Sequence, residues 1–272
     1  MHSLSAGDLL HIWEWGQGRS PVAQALLMLS VAYPEMPAEQ LAALPIGQRD
    51  ARLLRLRSQT FGSRLEATAR CPVCGEALAY GLAVEELVGD GSNACGDASR
   101  TATLSHRGEG GEGEREYEWR QGSYRVSFRL VTSADFLAIG GQSEEGARAV
   151  LLQRCLRAVW KGEAAIAPED LPDEVVQGVG EQMAQRDPQA EIVLNLSCLN
   201  CEHQWTVLFD IVSFFWREIA TAAQRLLQEV HVLASTYSWR ESEILAMSPL
   251  RRQAYLNQIA GQTGRPFGEV SG

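Results

Sequence analysis

Two Cys-x-x-Cys pairs, Cys71/Cys74 in CPVCG and Cys198/Cys201 in CLNCEHQW, constrain this chain more than any other feature. Two intervening residues let both sulfurs of a pair reach one zinc ion at about 2.3 Å, so each pair supplies half of a tetrahedral site. The pairs are far apart, with residues 75–197 between them. One ion shared by all four thiolates would fix two remote stretches of chain against each other. Such an ion is a structural clamp.

The flanking sequence favours that reading. Pro72 stiffens the first knuckle turn and Gly75 frees its exit. Strand-like sequence follows the first pair at Ala77–Leu87, and borders the second at Ile192–Leu196 and Gln204–Phe209. Strand, CxxC, strand is the shape of half a zinc ribbon. The expectation is one structural Zn2+ held by Cys71, Cys74, Cys198 and Cys201. Four thiolates leave no open position for water, which argues against catalysis. Two alternatives stand beside it. A redox dithiol would place CxxC between a strand and a helix. His203, two residues beyond Cys201, is either a substitute ligand or a neighbour of the site. No phosphate loop with its lysine, HExxH or GxSxG occurs, and the glycines of Gly108–Gly113 neither follow a strand nor open a helix. His11 and His231 fall in helical sequence. The chain is not read as an enzyme.

Compartment and partners follow from charge and hydropathy. MHSLSAGDLLHIWEW lacks the basic start and apolar stretch of a secretory signal. A cytoplasmic chain keeps its thiols reduced, so its six cysteines favour metal ligation over disulfides. No apolar run of about eighteen residues is present, so no membrane partner is expected. A net charge of −10 makes nucleic acid an unlikely partner.

The fold class expected is α+β, mostly helical, with a small antiparallel β zinc ribbon built from two remote CxxC knuckles. Residues 1–70 form an N-terminal helical segment, with helices over Leu4–Trp15 (Ser5 as cap), Pro21–Tyr33 and Gln48–Phe61. Arg49, Arg52, Arg55 and Arg57 decorate the third helix, as a solvated face paired with acids or as an anion site. Residues 71–87 and 117–210 form a ribbon and β region with inserted helices. It contains a hairpin over Tyr117–Leu130 around Gln121-Gly122, a short helix from Thr132-Ser133-Ala134-Asp135, and helices over Glu144–Trp160 and Asp173–Arg186. Cys155 lies in an apolar stripe and reads as a small buried hydrophobe.

Residues 88–116 read as a flexible, acidic, Gly-rich loop, either plainly mobile or partner-binding, in which Cys95 and His106 are incidental. Between Glu85 and Glu118 stand nine acids and three arginines, a net −6 of the total −10. Residues 211–260 form a C-terminal unit: one long helix, Ile211–Tyr237, then a helical hairpin with Ser238 as cap, Glu241 as its box partner, and a last helix from Ser248-Pro249 through Ile259. Residues 261–272 read as a loose tail. IVSFFWREI is apolar around too much of its circumference for an exposed helix, so a core or a partner covers it.

The residues also carry a resemblance. CPVCG, YRVSFRLVTSADFL, LLQRCL, DPQAEI, LSCLNCEHQW, FDIVSFFWREI and YSWRESEILAMSPLRRQAYL occur in that order. This series resembles the T-even-type phage baseplate hub assembly chaperone family, in particular the zinc-ribbon branch found in contractile tails and phage-tail-like injection systems. The likeness covers nearly the whole chain and is tightest over Cys198–Leu256. It implies a non-catalytic assembly factor or baseplate-associated component, acting on hub or spike proteins in the bacterial host cytoplasm. The four cysteines match the ribbon-bearing branch, whereas the Gly/Glu-rich stretch at 90–116 departs from it. A zinc-ribbon adaptor for nucleic acid or another protein, unrelated to tails, is the alternative.

Overall fold

A computed structural model describes residues 1–84, 87 and 115–263. The segment 88–114, with Cys95 and His106, lies outside the described residues, as does 264–272. The calls of a mobile acidic loop and a loose tail therefore fall largely beyond them.

Local signals start the first helices. In α1 (Ala6–Gly16) the Ser5 hydroxyl accepts from the Asp8 N–H at 3.2 Å, while the Asp8 carboxylate accepts from the Ser5 N–H at 2.8 Å. In α2 (Pro21–Ala32) proline takes the first position, where its missing N–H costs nothing, and Ser20 caps it. A short α3 (Ala38–Ala42) follows.

The next helix, α4 (Ile46–Phe61), starts two residues before the expected Gln48 and has no side-chain cap of its own, since Pro45 precedes it. Asp187 caps it from across the fold, accepting from the Gly47 N–H at 2.9 Å. Its carboxylate lies on the positive end of α4. Only glycine fits at position 47, because a Cβ there would collide with Asp187 Oδ1 and lie 2.8 Å from the Ala190 nitrogen. Gly47→Ala is expected to cost about 1–3 kcal/mol through this overpacking, read as a lowered midpoint in urea unfolding.

The helix ends at Phe61 as expected, but the rest of the segment to residue 70, expected to belong to a helical unit, is not helical. It enters a strand, β1 (Arg64–Arg70), paired antiparallel with β2 (Ala77–Ala83). Arg57 holds this entry, donating to the carbonyls of Gly62 and Arg64 at 2.6 and 2.8 Å.

A separate sheet follows in the order β3 (Glu116–Gln121), β4 (Tyr124–Arg129), β5 (Leu156–Lys161), β6 (Ala164–Ala165). Gly122 turns the β3–β4 hairpin with φ +56°, a left-handed conformation that suits glycine. Between β4 and β5 lie α5 (Ser133–Ala138) and α6 (Glu144–Cys155). The expected helix over Glu144–Trp160 therefore ends five residues early. Val126, Phe128, Leu156 and Val159 form the buried face of this sheet under α7 (Asp173–Arg186). Pairing with β4 converts LRAVWK to strand.

A second hairpin, β7 (Ile192–Ser197) and β8 (Gln204–Phe209), leads into α8 (Ile211–Tyr237). Asp210 caps α8, accepting from the N–H groups of Val212 and Ser213 at 2.9 and 3.2 Å. Ile211, Phe215 and Ile219 enter the main core with Ile12, Met28, Leu29, Leu53, Leu54 and Leu56. The core, then, covers IVSFFWREI, while Arg217 on the far side is exposed. Each such buried side chain stabilises by about 1.5–3 kcal/mol.

Ser238 does not cap the next helix: it is the left-handed end of α8, with φ +56°. Glu243 instead accepts from the Arg240 N–H at 2.8 Å, at the start of α9 (Glu241–Leu245). With α10 (Pro249–Thr263), α9 encloses a small core of Leu233, Ile244 and Leu256.

Candidate metal centre

The two CxxC pairs occupy the turns of two hairpins built to one pattern. In the first, the residue before Cys71 pairs with the third residue after Cys74, Arg70 with Ala77. In the second the equivalent pair is Ser197 with Gln204. The Gly75 N–H donates to the Cys71 carbonyl and the Cys71 N–H to the Glu76 carbonyl, at 2.9 and 2.8 Å. Glu202 and Cys198 repeat this with Cys198 and His203, both at 2.9 Å. Each turn closes through a left-handed residue, Gly75 at φ +75° and Glu202 at φ +57°. The free exit expected of Gly75 is thus real, and in the second knuckle a glutamate accepts the same conformation.

The roots of both hairpins are anchored in the main core. Leu65 and Val84 are buried in it, and Ile192 and Phe209 pack against it. The tips converge. The sulfurs of Cys71 and Cys201 are 3.6 Å apart, those of Cys74 and Cys198 are 3.5 Å apart, and all four lie within 4.8 Å of one another. A tetrahedron with zinc–sulfur bonds of about 2.3 Å has edges of about 3.8 Å, whereas a disulfide needs about 2.05 Å. The quartet therefore has the dimensions of a tetrathiolate site, and soft sulfur donors suit zinc. Cys71 and Cys198 are buried, while Cys74 and Cys201 face solvent.

Electrostatics separate the two exposed thiols. The backbone at Glu76 hydrogen-bonds to the Cys74 sulfur and, with the neighbouring sulfurs, draws its pKa down to about 6. At Cys201 a backbone bond from His203 favours the thiolate, but desolvation and the other three sulfurs outweigh it and push the thiol up to about 12. One thiolate forms readily, and the remaining protons leave when a cation arrives. His203 is not among the clustered ligands; its ring stacks on Trp205, centroids 6.0 Å apart.

Of the other singled-out residues, Cys155 is buried, as expected of a small hydrophobe. Burial pushes its thiol up to about 11, which keeps it protonated and inert. Among the arginines of α4, Arg49 and Arg57 pair with acids as expected, but both are buried and not on a solvated face, while Arg55 is exposed. Arg49 is buried against Asp50, and Arg57 makes a two-pronged bond to Glu218 at 2.6 and 2.9 Å. Glu218 lies 161 residues from Arg57, and no short-range pattern announced it. Among the described residues no helix is long and apolar enough to cross a membrane.

The family described as T4 bacteriophage base plate protein matches residues 24–216, more than half of the 272. The chain belongs to this family. The matched span takes in both knuckles of this baseplate protein and ends within α8, before YSWRESEILAMSPLRRQAYL. No curated protein and no solved structure matches the chain significantly.

Proposed function

We propose that this baseplate-family protein is a non-catalytic assembly factor for a contractile phage tail or tail-like injection system, working in the host cytoplasm on hub or spike components. The family match over residues 24–216 carries this reading. The four-cysteine cluster supports a structural role for one Zn2+, held by Cys71, Cys74, Cys198 and Cys201, as the closed clamp of a zinc ribbon. With four thiolates around it, the ion offers no site for substrate.

Co-expression of the tagged chain with the neighbouring tail proteins tests the reading. Affinity capture before assembly is expected to retain a hub or spike protein, and purified mature particles are expected to be depleted of the chain. Capture of none of the baseplate proteins, or stoichiometric presence in finished particles, would count against an assembly factor.

A further inference from the structure

A groove of about 1010 Å³ opens between the first hairpin, the end of β8 and the first half of α8. Its α8 wall runs from Ser213 to Arg225. At about 1.5 Å per residue this wall is roughly 18 Å long, enough for an extended segment of five or six residues. Phe61, Tyr80, Phe209 and Phe214 give the groove an aromatic lining.

The charges are unequal in availability. Of the lining acids, Glu218 gives both oxygens to Arg57, and Asp210 is committed to the start of α8. Glu66 lies 3.9 Å from Arg64, but their side chains are 84% and 78% exposed, so this pair is solvated and weak. Arg217 donates to the Ser213 carbonyl of its own helix and has no carboxylate partner among the described residues. A chain of net charge −10 thus presents available arginines, Arg64 and Arg217, beside an aromatic trough.

We propose that this groove docks an extended acidic segment of a partner protein, in which Glu or Asp alternates with aliphatic or aromatic residues. The two-residue period of an extended chain sends one set of side chains to the aromatic lining and the other to the arginines. Nucleic acid fits less well, because two available arginines neutralise few phosphates of a continuous polyanion and the chain as a whole carries −10. Neither the identity of the metal nor the hub assignment enters this proposal.

Fluorescence anisotropy with the full chain tests it. The probe is a labelled peptide of about twelve residues, Glu alternating with Leu and Phe, long enough to span the groove when extended. Controls are the same peptide with Gln for Glu and a single-stranded oligonucleotide of equal charge. The acidic peptide is expected to bind, and to bind more weakly as salt rises. The Gln peptide, and the chain with Arg64→Glu and Arg217→Glu, should each weaken binding about tenfold or more. Both arginines are exposed, so thermal melting should not move. Arg217→Gln alone should weaken binding less and guards against misfolding of the double variant. No binding of the acidic peptide, equal binding of the Gln peptide, unchanged affinity in the arginine variants, or tighter binding of the oligonucleotide would each overturn the proposal.

Discussion

Cys198→Ser is expected to release the metal and to lower the unfolding free energy by at least about 4 kcal/mol. In small zinc-finger peptides the metal supplies about 10–16 kcal/mol, because nothing else holds the fold. Here the roots of both hairpins keep their packing in the main core through Leu65, Val84, Ile192 and Phe209, so the loss should be smaller. Its character should also be local. Amides of β1, β2, β7 and β8 near the knuckles should lose hydrogen-exchange protection first, while those around Ile12 and Phe215, both at 0% exposure, should keep theirs. Metal analysis should find about one zinc per wild-type chain and none in the variant. Chelation should reproduce the effect, and acid should too, since each ligand must be deprotonated to bind. A melting curve indifferent to complete removal of zinc would exclude the clamp.

Asp135→Asn should be comparably damaging, by about 3–5 kcal/mol, because it leaves the buried Arg129 cation without its carboxylate. Asp135 is fully buried. It accepts from Arg129 at 2.6 and 2.7 Å, from Arg154 at 2.7 Å, and from the Thr132 N–H and hydroxyl, both at 2.9 Å. These bonds tie the end of β4 to α5 and α6. Burial alone would raise the pKa of Asp135. The Arg129 and Arg154 guanidiniums and the Thr132 donors outweigh it and hold the carboxyl well below the usual carboxylate range. A depressed folded pKa contributes stability above the unfolded value, about 3.9, and this contribution is lost as pH falls through the folded value. Denaturant midpoints of the wild type should therefore fall below about pH 4, and those of Asp135→Asn should fall less steeply. Asp50 and Asp187 have the opposite sign. Burial raises both, so their ionised forms cost stability near neutrality and the cost fades on acidification. Equal acid sensitivity in the variant and the wild type would show that Asp135 does not govern this window.

Much of the architecture was legible because it rests on short-range chemistry. Ser5 with Asp8, and Ser20 before Pro21, mark helix starts within four residues of chain. The three-and-four spacing of Ile211, Phe215, Ile219 and Leu226 marks α8 and the side it buries. CxxC turns between alternating segments mark both knuckles. Two elements misled for an equally physical reason. Leu156 and Val159, three residues apart, fit a helical stripe with Cys155 better than they fit a regular strand, and only pairing with β4, whose register shifts at Ser127/Phe128, puts both on one buried face. Arg64–Arg70 carries alanines with little strand preference, and it extends because β2 returns beside it.

The amino-acid order alone determined most helical periods, the caps at Ser5 and Ser20 and the chemistry of four thiols, since each depends on residues within a turn or two of one another. Tertiary structure decided what no local window contains. It brought Asp187 to the start of α4, joined Arg57 to Glu218, and closed four sulfurs to within 4.8 Å across more than a hundred residues of chain. Those contacts join groups that are distant in sequence, and their energy exists only once the core has set the distance between them.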